Sequence, residues 1–199
     1  MTTRLALSIP RTHCQPGGTA MNMHQTNVAT LDVHKREPLG RRGSTHPTRA
    51  IVDALSGVFA DTLDVAQFSR HARWNLTGPR TAILGNVFSG ISRDLDKRAH
   101  LLASRIAALG GTVHGTVDAI ADNSQIDPLE RQPRDEAEWI LAASYRLRLL
   151  SASYHDAIRD CERLGDTVTV HQLNDGAAIV EEQLCVVDRH TSPNECNSA

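Results

Sequence analysis

Aromatic side chains are scarce in this chain of 199 residues, which contains two tryptophans, two tyrosines and three phenylalanines. Because 40% of the residues are nevertheless hydrophobic, leucine, isoleucine, valine and alanine would have to fill the core, as in a bundle of long helices. No apolar run approaches the ~20 residues that a membrane-spanning helix needs. The short apolar segment before Pro10 is also too brief for a secretion signal. We therefore expect a cytoplasmic protein with no membrane partner.

Familiar catalytic and metal-binding motifs are missing as well. The sequence contains no Glu-x-x-His, no glycine-rich phosphate loop and no Cys-x-x-Cys pair, and its four cysteines show no metal-ligand spacing. Cys161 and Cys185 fall on two predicted antiparallel helices, about 24 Å apart along the bundle as judged from the helical rise per residue. That distance is too long for a disulfide. We predict that both cysteines are buried free thiols.

Helical periodicity is what the sequence does contain, most clearly between a turn at 74–79 and a glycine stop at 110–111. Apolar residues recur there at steps of three and four, which predicts an amphipathic helix from about Pro79 to Leu109. Pro79 suits the first helical position, because the missing N–H of proline would have no partner there. The apolar positions of this second helix are Leu84, Val87, Phe88, Ile91, Leu95, Leu102, Ile106 and Leu109.

The first and third helices have clear starts. Pro47 opens the first helix, whose apolar stripe runs to about Asn75. The third helix opens near Pro133, where Asp135 and Glu136 place negative charge at the positive end of the helix dipole. Both helices are long enough to span the same bundle as the second.

Gly165 is predicted to end the third helix, and Asp166 can cap the fourth, which runs to about Thr191. Between the second and third helices lie about two dozen residues rich in loop formers, with room for a short helix around 117–121. A connection of this length can carry the chain back along the whole bundle. The sequence thus predicts an all-α fold over residues 47–191: a four-helix bundle with a long crossover between helices 2 and 3.

The two ends of the chain differ from the bundle in composition. Residues 1–46 show no helical period and carry six basic against two acidic residues, whereas the remainder carries 15 basic against 21 acidic. We predict a disordered basic tail there and a short polar tail over 192–199. A translation start at Met21 or Met23 stays open as an alternative to the first methionine. The residues that could grip DNA phosphates without reading sequence are Lys35, Arg36, Arg41 and Arg42. A merely solubilising tail is the alternative.

The stretch from 68 to 115 resembles the DNA-protection-during-starvation (Dps) proteins, small relatives of the ferritins. The residues that match the family pattern without a gap are Trp74, Asn75, Gly78, Arg105, Gly110, Gly111, Gly115 and Thr116. The resemblance extends over the whole predicted bundle. It implies a ferritin-like fold, a homo-oligomeric shell that is a dodecamer, and a role in stress response through DNA protection and iron storage. Iron is the one cofactor that the resemblance makes possible.

Dps proteins oxidise iron at a site that two subunits share. Two histidines and an aspartate come from one subunit, and an aspartate and a glutamate come from the other. Carried over through the Trp74-Asn75 match, the resemblance places these positions at Arg73, Gly85, Ser89, His100 and Ser104. Only His100 could ligate a metal, and the fixed positive charge of Arg73 would repel iron. His71 is two residues from the first histidine position, which rotates it by about 200° to the opposite helical face. We therefore predict no catalytic and no metal-binding residues.

Two further groups of polar residues could bind ions. Asp96 and His100 lie one helical turn apart and could share a metal, although an exposed charge pair is the simpler interpretation. The second group could line an ion pore in a shell, with solvated surface as the simpler interpretation; it comprises His155, Asp156, Glu181 and Glu182.

The sequence therefore favours a Dps-like shell subunit that protects DNA through its tail, or stores iron oxidised elsewhere, and that has lost ferroxidase activity. Its expected partners are further copies of itself and DNA of any sequence, which would associate it with the nucleoid. Two alternatives stay open. One is an active ferroxidase and iron-storage protein with relocated ligands, and the other is a regulatory subunit that co-assembles with an intact paralogue.

Overall fold

The computed structural model of the protein describes residues 46–191, which form α-helices and no strand. Four helices are long, and a short one lies in the connection between the second and the third long helix. In chain order they are α1 (His46–Asn75), α2 (Thr81–Ala108), α3 (Val117–Asn123), α4 (Glu136–Arg163) and α5 (Thr167–Asp188). The predicted all-α bundle with a long crossover is confirmed.

The core lies between the four long helices. α1 packs against α2 and α4, α5 packs against α4 and α2, and α3 packs against α1. Most core side chains are aliphatic, and Trp139, Tyr154 and Phe88 are the largest that are fully buried. The helical period places the predicted stripe of α2 on one face, and six of its eight positions are buried there: Leu84, Phe88, Ile91, Leu95, Leu102 and Ile106. The other two, Val87 and Leu109, are partly buried against the same core.

The helices end and begin with the residues that the sequence indicates. Asp135 and Asp166 cap α4 and α5, each carboxylate accepting a hydrogen bond from the backbone N–H three residues on, at 2.9 and 3.1 Å. These bonds satisfy N–H groups that have no partner inside the helix. Gly110 and Gly165 follow α2 and α4 with φ of 78° and 76°, a conformation in which a side chain would be strained.

The start of α2 differs from the prediction. Pro79 lies in the turn before the helix, which begins at Thr81. The Thr81 N–H and hydroxyl both donate to the Gly78 carbonyl, at 3.3 and 2.7 Å, so Pro79 is the second residue of a tight turn. The fixed φ of proline suits that position as well as the first position of a helix. Glu136 of α4 holds the turn by accepting hydrogen bonds from the Arg80 backbone N–H (2.7 Å) and Nε (3.2 Å).

The cysteine prediction is half right. Cys161 and Cys185 are both free thiols, but only Cys161 is buried. Burial and the nearby Asp166 carboxylate raise the pKa of the Cys161 thiol to about 11. Cys185 is exposed because it follows Leu184 on α5 and so falls outside the stripe that faces the core. No helix within residues 46–191 is long and apolar enough to cross a membrane.

Candidate functional site

Three of the five positions at which the Dps resemblance expects metal ligands lie together, between the end of α1 and the first half of α2. Arg73 is in the last turn of α1 and reaches across to α2. Its guanidinium donates a hydrogen bond to the backbone carbonyl of Gly85 (3.3 Å) and another to the hydroxyl of Ser89. These three positions therefore hold a cation that is bound to two neutral oxygens.

The local sequence of α2 makes these two oxygens available. Gly85 has no side chain, and no neighbouring group lies within 4 Å of the place where one would begin, so the Arg73 guanidinium can approach its carbonyl. The Ser89 hydroxyl donates to the same carbonyl one turn back, at 2.7 Å, which leaves the lone pairs of the hydroxyl free for Arg73. Arg73, Gly85 and Ser89 thus form one closed hydrogen-bond network.

The remaining two positions, His100 and Ser104, are exposed and lie further along α2. The Ser104 hydroxyl donates to the His100 carbonyl at 2.9 Å, a bond that serine often makes within a helix. His100 is about 16 Å from Ser89 along the helix axis. The two groups of positions are therefore separate within one subunit, and only a second copy of the chain could bring them together.

His71 lies on a different side of α1 from Arg73, as the helical rotation between them predicts. The His71 imidazole packs edge-on against the Trp139 ring of α4, with 5.5 Å between the ring centroids. Its Nδ1 is 3.2 Å from the amide nitrogen of Asn75. Since Arg73 contacts α2 and His71 contacts α4, His71 does not replace the histidine that the resemblance expects.

Asp96 and His100 do not act as a pair. Both carboxylate oxygens of Asp96 accept hydrogen bonds from the Arg70 guanidinium of α1. The simpler interpretation, an exposed charge pair of Asp96 with His100, is therefore wrong, because the charged partner of Asp96 is Arg70. No local sequence pattern links Arg70 to Asp96, because the two residues lie on antiparallel helices and are 26 positions apart.

The residues suggested for an ion pore are surface groups in this subunit. His155 Nε2 and Glu181 Oε1 lie 4.0 Å apart, between α4 and α5. The Glu181 carboxylate also accepts a hydrogen bond from the Ser151 hydroxyl, while Asp156 and Glu182 are exposed. The tail candidates for DNA contact lie outside the described residues; they are Lys35, Arg36, Arg41 and Arg42.

The residues at the five positions do not suit iron. Carboxylate oxygens and imidazole nitrogens are the ligands that iron sites of this class use, and the positions offer one imidazole, that of His100. The Arg73 guanidinium contacts two of the other positions, Gly85 and Ser89, and brings a positive charge to them. In the part of the chain that the structure describes, no group of three or more His, Cys, Asp or Glu side chains could hold a metal ion.

Comparison with known proteins identifies the class to which this bundle belongs. Residues 52–185 match the ferritin family model, which is described as a ferritin-like domain. That match covers well over half of the chain, so the protein belongs to the ferritin-like family.

Relatives within this family are Dps proteins. The chain is 21% identical over 140 residues to the DNA protection during starvation protein of Agrobacterium fabrum, covering 70% of this chain and 86% of the relative. It superposes on an archaeal Dps homologue from Halobacterium salinarum with a TM-score of 0.72 and 19% identity, covering 76% of this chain and 84% of that one. A variant of Mycobacterium smegmatis Dps1 gives a TM-score of 0.71 and 21% identity, covering 75% and 100%. The expected kinship with the Dps proteins is confirmed.

Proposed function

We propose that the protein is a Dps-like shell subunit that acts in starvation or stress by protecting DNA, that it has no ferroxidase activity of its own, and that any iron it stores is oxidised elsewhere. The observation that carries the proposal is the contact of the Arg73 guanidinium with Gly85 and Ser89. A fixed positive charge between ligand positions opposes an approaching Fe²⁺ ion by Coulomb repulsion. Carboxylates, which would attract the ion, are missing from all five positions.

Self-association into a shell is the second part of the proposal. A groove of about 620 Å³ between α1 and the crossover is lined by apolar side chains that include Leu63, Val117 and Ile120. Val117 is 81% exposed, and an exposed apolar patch of this kind is typical of a surface that another molecule covers. We expect a homo-oligomer, and a dodecamer as the resemblance implies. Static light scattering should give that mass, and a monomer at micromolar concentration would contradict it.

Restoring the ligand set tests which positions matter for iron. The variant carries Arg73→His, Gly85→His, Ser89→Asp, His100→Asp and Ser104→Glu together. We expect it to bind Fe²⁺ in equilibrium dialysis, while the original protein binds no more than the background. Arg73→Ala is the matched control, because it removes the cation without adding a ligand, and it should not bind. If the rebuilt protein assembles and still binds no iron, the assigned positions are wrong.

DNA protection is proposed to depend on the basic tail. Each phosphate that the tail neutralises should add about −0.9 to the slope of log affinity against log salt, and a shell presenting many tails gains affinity through effective concentration. Deleting residues 1–46 should abolish DNA retardation and leave assembly intact. Replacing Arg36, Arg41 and Arg42 by lysine should preserve binding, whereas replacing them by glutamine should weaken it. Equal retardation by the truncated shell at the same salt would refute the role of the tail.

A further inference from the structure

A buried polar cluster fastens the crossover to the bundle. Asp61 of α1 is 1% exposed, and its carboxylate accepts hydrogen bonds from the Gln125 backbone N–H (2.7 Å) and the Ser153 hydroxyl of α4 (2.6 Å). Ser124 follows α3 directly. Its hydroxyl oxygen lies 3.0 Å from Asp61 Oδ1 and 3.0 Å from Asp64 Oδ2. One hydroxyl group therefore bridges two carboxyl groups on successive turns of α1.

The hydrogens available at this bridge are too few if both carboxyl groups are ionised. A serine hydroxyl carries one hydrogen and can donate it to one acceptor, while its oxygen can accept two. The Ile126 N–H already donates to the Ser124 oxygen at 3.2 Å. With two carboxylates, one carboxylate oxygen would face a Ser124 lone pair with no hydrogen between them. A proton on one carboxyl group removes this conflict and fills the second accepting position of Ser124.

Asp64 is the better place for that proton. Asp61 accepts hydrogen bonds from Gln125 and Ser153 as well as Ser124, so both of its carboxylate oxygens already face donor hydrogens. Asp64 has a hydrogen bond to Ser124 alone. The hydrogen-bond chain then runs from Asp64 Oδ2–H to the Ser124 oxygen, and from the Ser124 hydroxyl to Asp61.

We propose that this carboxyl proton makes the attachment of the crossover pH-dependent: the crossover is held tightly while Asp64 is protonated and loosened when Asp64 ionises. The proton stays with Asp64 in one state and goes to solvent in the other, so no further reactant is needed. Ionised Asp64 would take the Ser124 hydrogen for itself. It would thereby remove one of the three donors to Asp61 and set two negative charges against each other.

Arg146 is the positive group that faces Asp64 from α4. Its Nη1 is 3.5 Å from Asp64 Oδ1, which favours ionisation. The same guanidinium is buried, donates to the Asp127 carbonyl at 2.7 Å and lies 4.9 Å from the centre of the Phe68 ring. Burial of Asp64 outweighs the attraction of Arg146 and the Ser124 hydrogen bond, and together with the Asp61 charge it raises the pKa of Asp64 above its usual 3.8.

The other charged side chains near the cluster do not act as a second positive partner for Asp64. Arg70, which lines the same groove as Asp64, is bound to Asp96. Three more carboxyl groups line a cavity of about 390 Å³ beside Asp61, and each is paired with an arginine of its own helix: Asp53 with Arg49, Asp156 with Arg159 and Asp160 with Arg163. Because the folded-state pKa of Asp64 is raised, its stabilising contribution is complete below the usual 3.8. That contribution is lost as the pH rises through the raised value.

Hydrogen exchange at the Gln125 and Ile126 amides tests the proposal on the assembled protein, since both N–H groups donate into the cluster. Asp64→Asn places an amide N–H where the acid proton lies and does not titrate. Asp122→Asn is the matched control, because it makes the same charge change at an exposed position of α3. After correction for intrinsic exchange rates, the original protein and Asp122→Asn should lose protection as the pH rises. Asp64→Asn should keep its protection across the same range.

Infrared spectroscopy of the original protein tests the same proposal without any variant. The original protein should show the carbonyl band of a protonated carboxyl group at a pH where exposed carboxyl groups are ionised, and the band should vanish over the pH range in which protection falls. Absence of that band overturns the proposal. It is overturned equally if Asp64→Asn loses protection with pH as steeply as the original protein does.

Discussion

Replacing Arg105 by alanine should destabilise the bundle far more than replacing an exposed arginine. Arg105 lies near the end of α2 and reaches the turn between α4 and α5. Its Nη2 donates to both carboxylate oxygens of Asp166 at 2.9 Å, and its Nε donates to the Thr169 hydroxyl at 2.8 Å. The Arg105 and Asp166 side chains are 18% and 13% exposed, so the pair is largely withdrawn from water.

The size of the effect follows from this burial. Removing one partner from a fully buried ion pair costs about 3–5 kcal/mol, because the other charge is left uncompensated. Asp166 keeps the Thr169 backbone and side-chain donors and some contact with water, so we expect about 2–3 kcal/mol. In a domain of this size that lowers the melting temperature by roughly 5–10 °C.

Thermal unfolding at matched protein concentration measures the effect, with Arg159→Ala as the control. Arg159 also binds an aspartate, Asp156, but both side chains are 66% exposed, and such a pair contributes at most about 0.5 kcal/mol. The reasoning is refuted if the two alanine variants melt within a degree or so of each other.

The stability difference between the original protein and Arg105→Ala should depend on pH. Burial alone would raise the pKa of Asp166, but the hydrogen bonds from Thr169 and Arg105 outweigh it and lower that pKa. The stabilisation is therefore present above the unfolded-state pKa and is lost as the pH falls through the folded-state value. The difference in stability between the original protein and Arg105→Ala should shrink in acid.

Two further predictions concern the core. A Cβ at Gly176 would lie 2.3 Å from the buried Tyr154 ring, whereas a Cβ at Gly57 would meet no neighbouring group. Gly176→Ala should therefore be less stable than the control Gly57→Ala by about 1–3 kcal/mol and should melt at a lower temperature. Equal melting temperatures would show that the ring moves freely. Burial, opposed in part by the Thr62 hydrogen bond, raises the pKa of Tyr154 to about 12. The variant Tyr145→Phe leaves Tyr154 as the one tyrosine, and its phenolate absorbance should rise near pH 12. A rise complete by pH 10 would contradict the burial.

Local chemistry made much of the fold predictable. The apolar stripe of α2 and the glycine stops at Gly110 and Gly165 depend on residues close in sequence, and the structure has them as expected. The prediction that Pro79 opens α2 is wrong, because the fixed φ of proline suits a turn as well as a helix start. Cys185 shows a similar limit, because one step along a helix separates a buried position from an exposed one.

Contacts between residues that are far apart in the chain could not be predicted from the sequence. The resemblance indicated the positions Arg73, Gly85 and Ser89, but the hydrogen bonds among them depend on how far an arginine reaches between antiparallel helices. The same holds for Ser124 and Asp61, which are far apart in sequence and meet only because the crossover folds back over α1. Periodicity finds the face of a helix that is buried, but not the partner of a polar side chain on that face.

Iron oxidation by the purified, assembled protein tests the central claim most directly. Fe²⁺ is mixed anaerobically with the protein, peroxide is added, and the formation of Fe³⁺ is followed by absorbance against a protein-free control. Because the five positions that the resemblance assigns to ligands hold a guanidinium, no carboxylate and a single imidazole, that of His100, we predict the uncatalysed rate at every protein concentration. A rate that increases with protein concentration and saturates with Fe²⁺, and that falls to background in His100→Ala, would contradict the account.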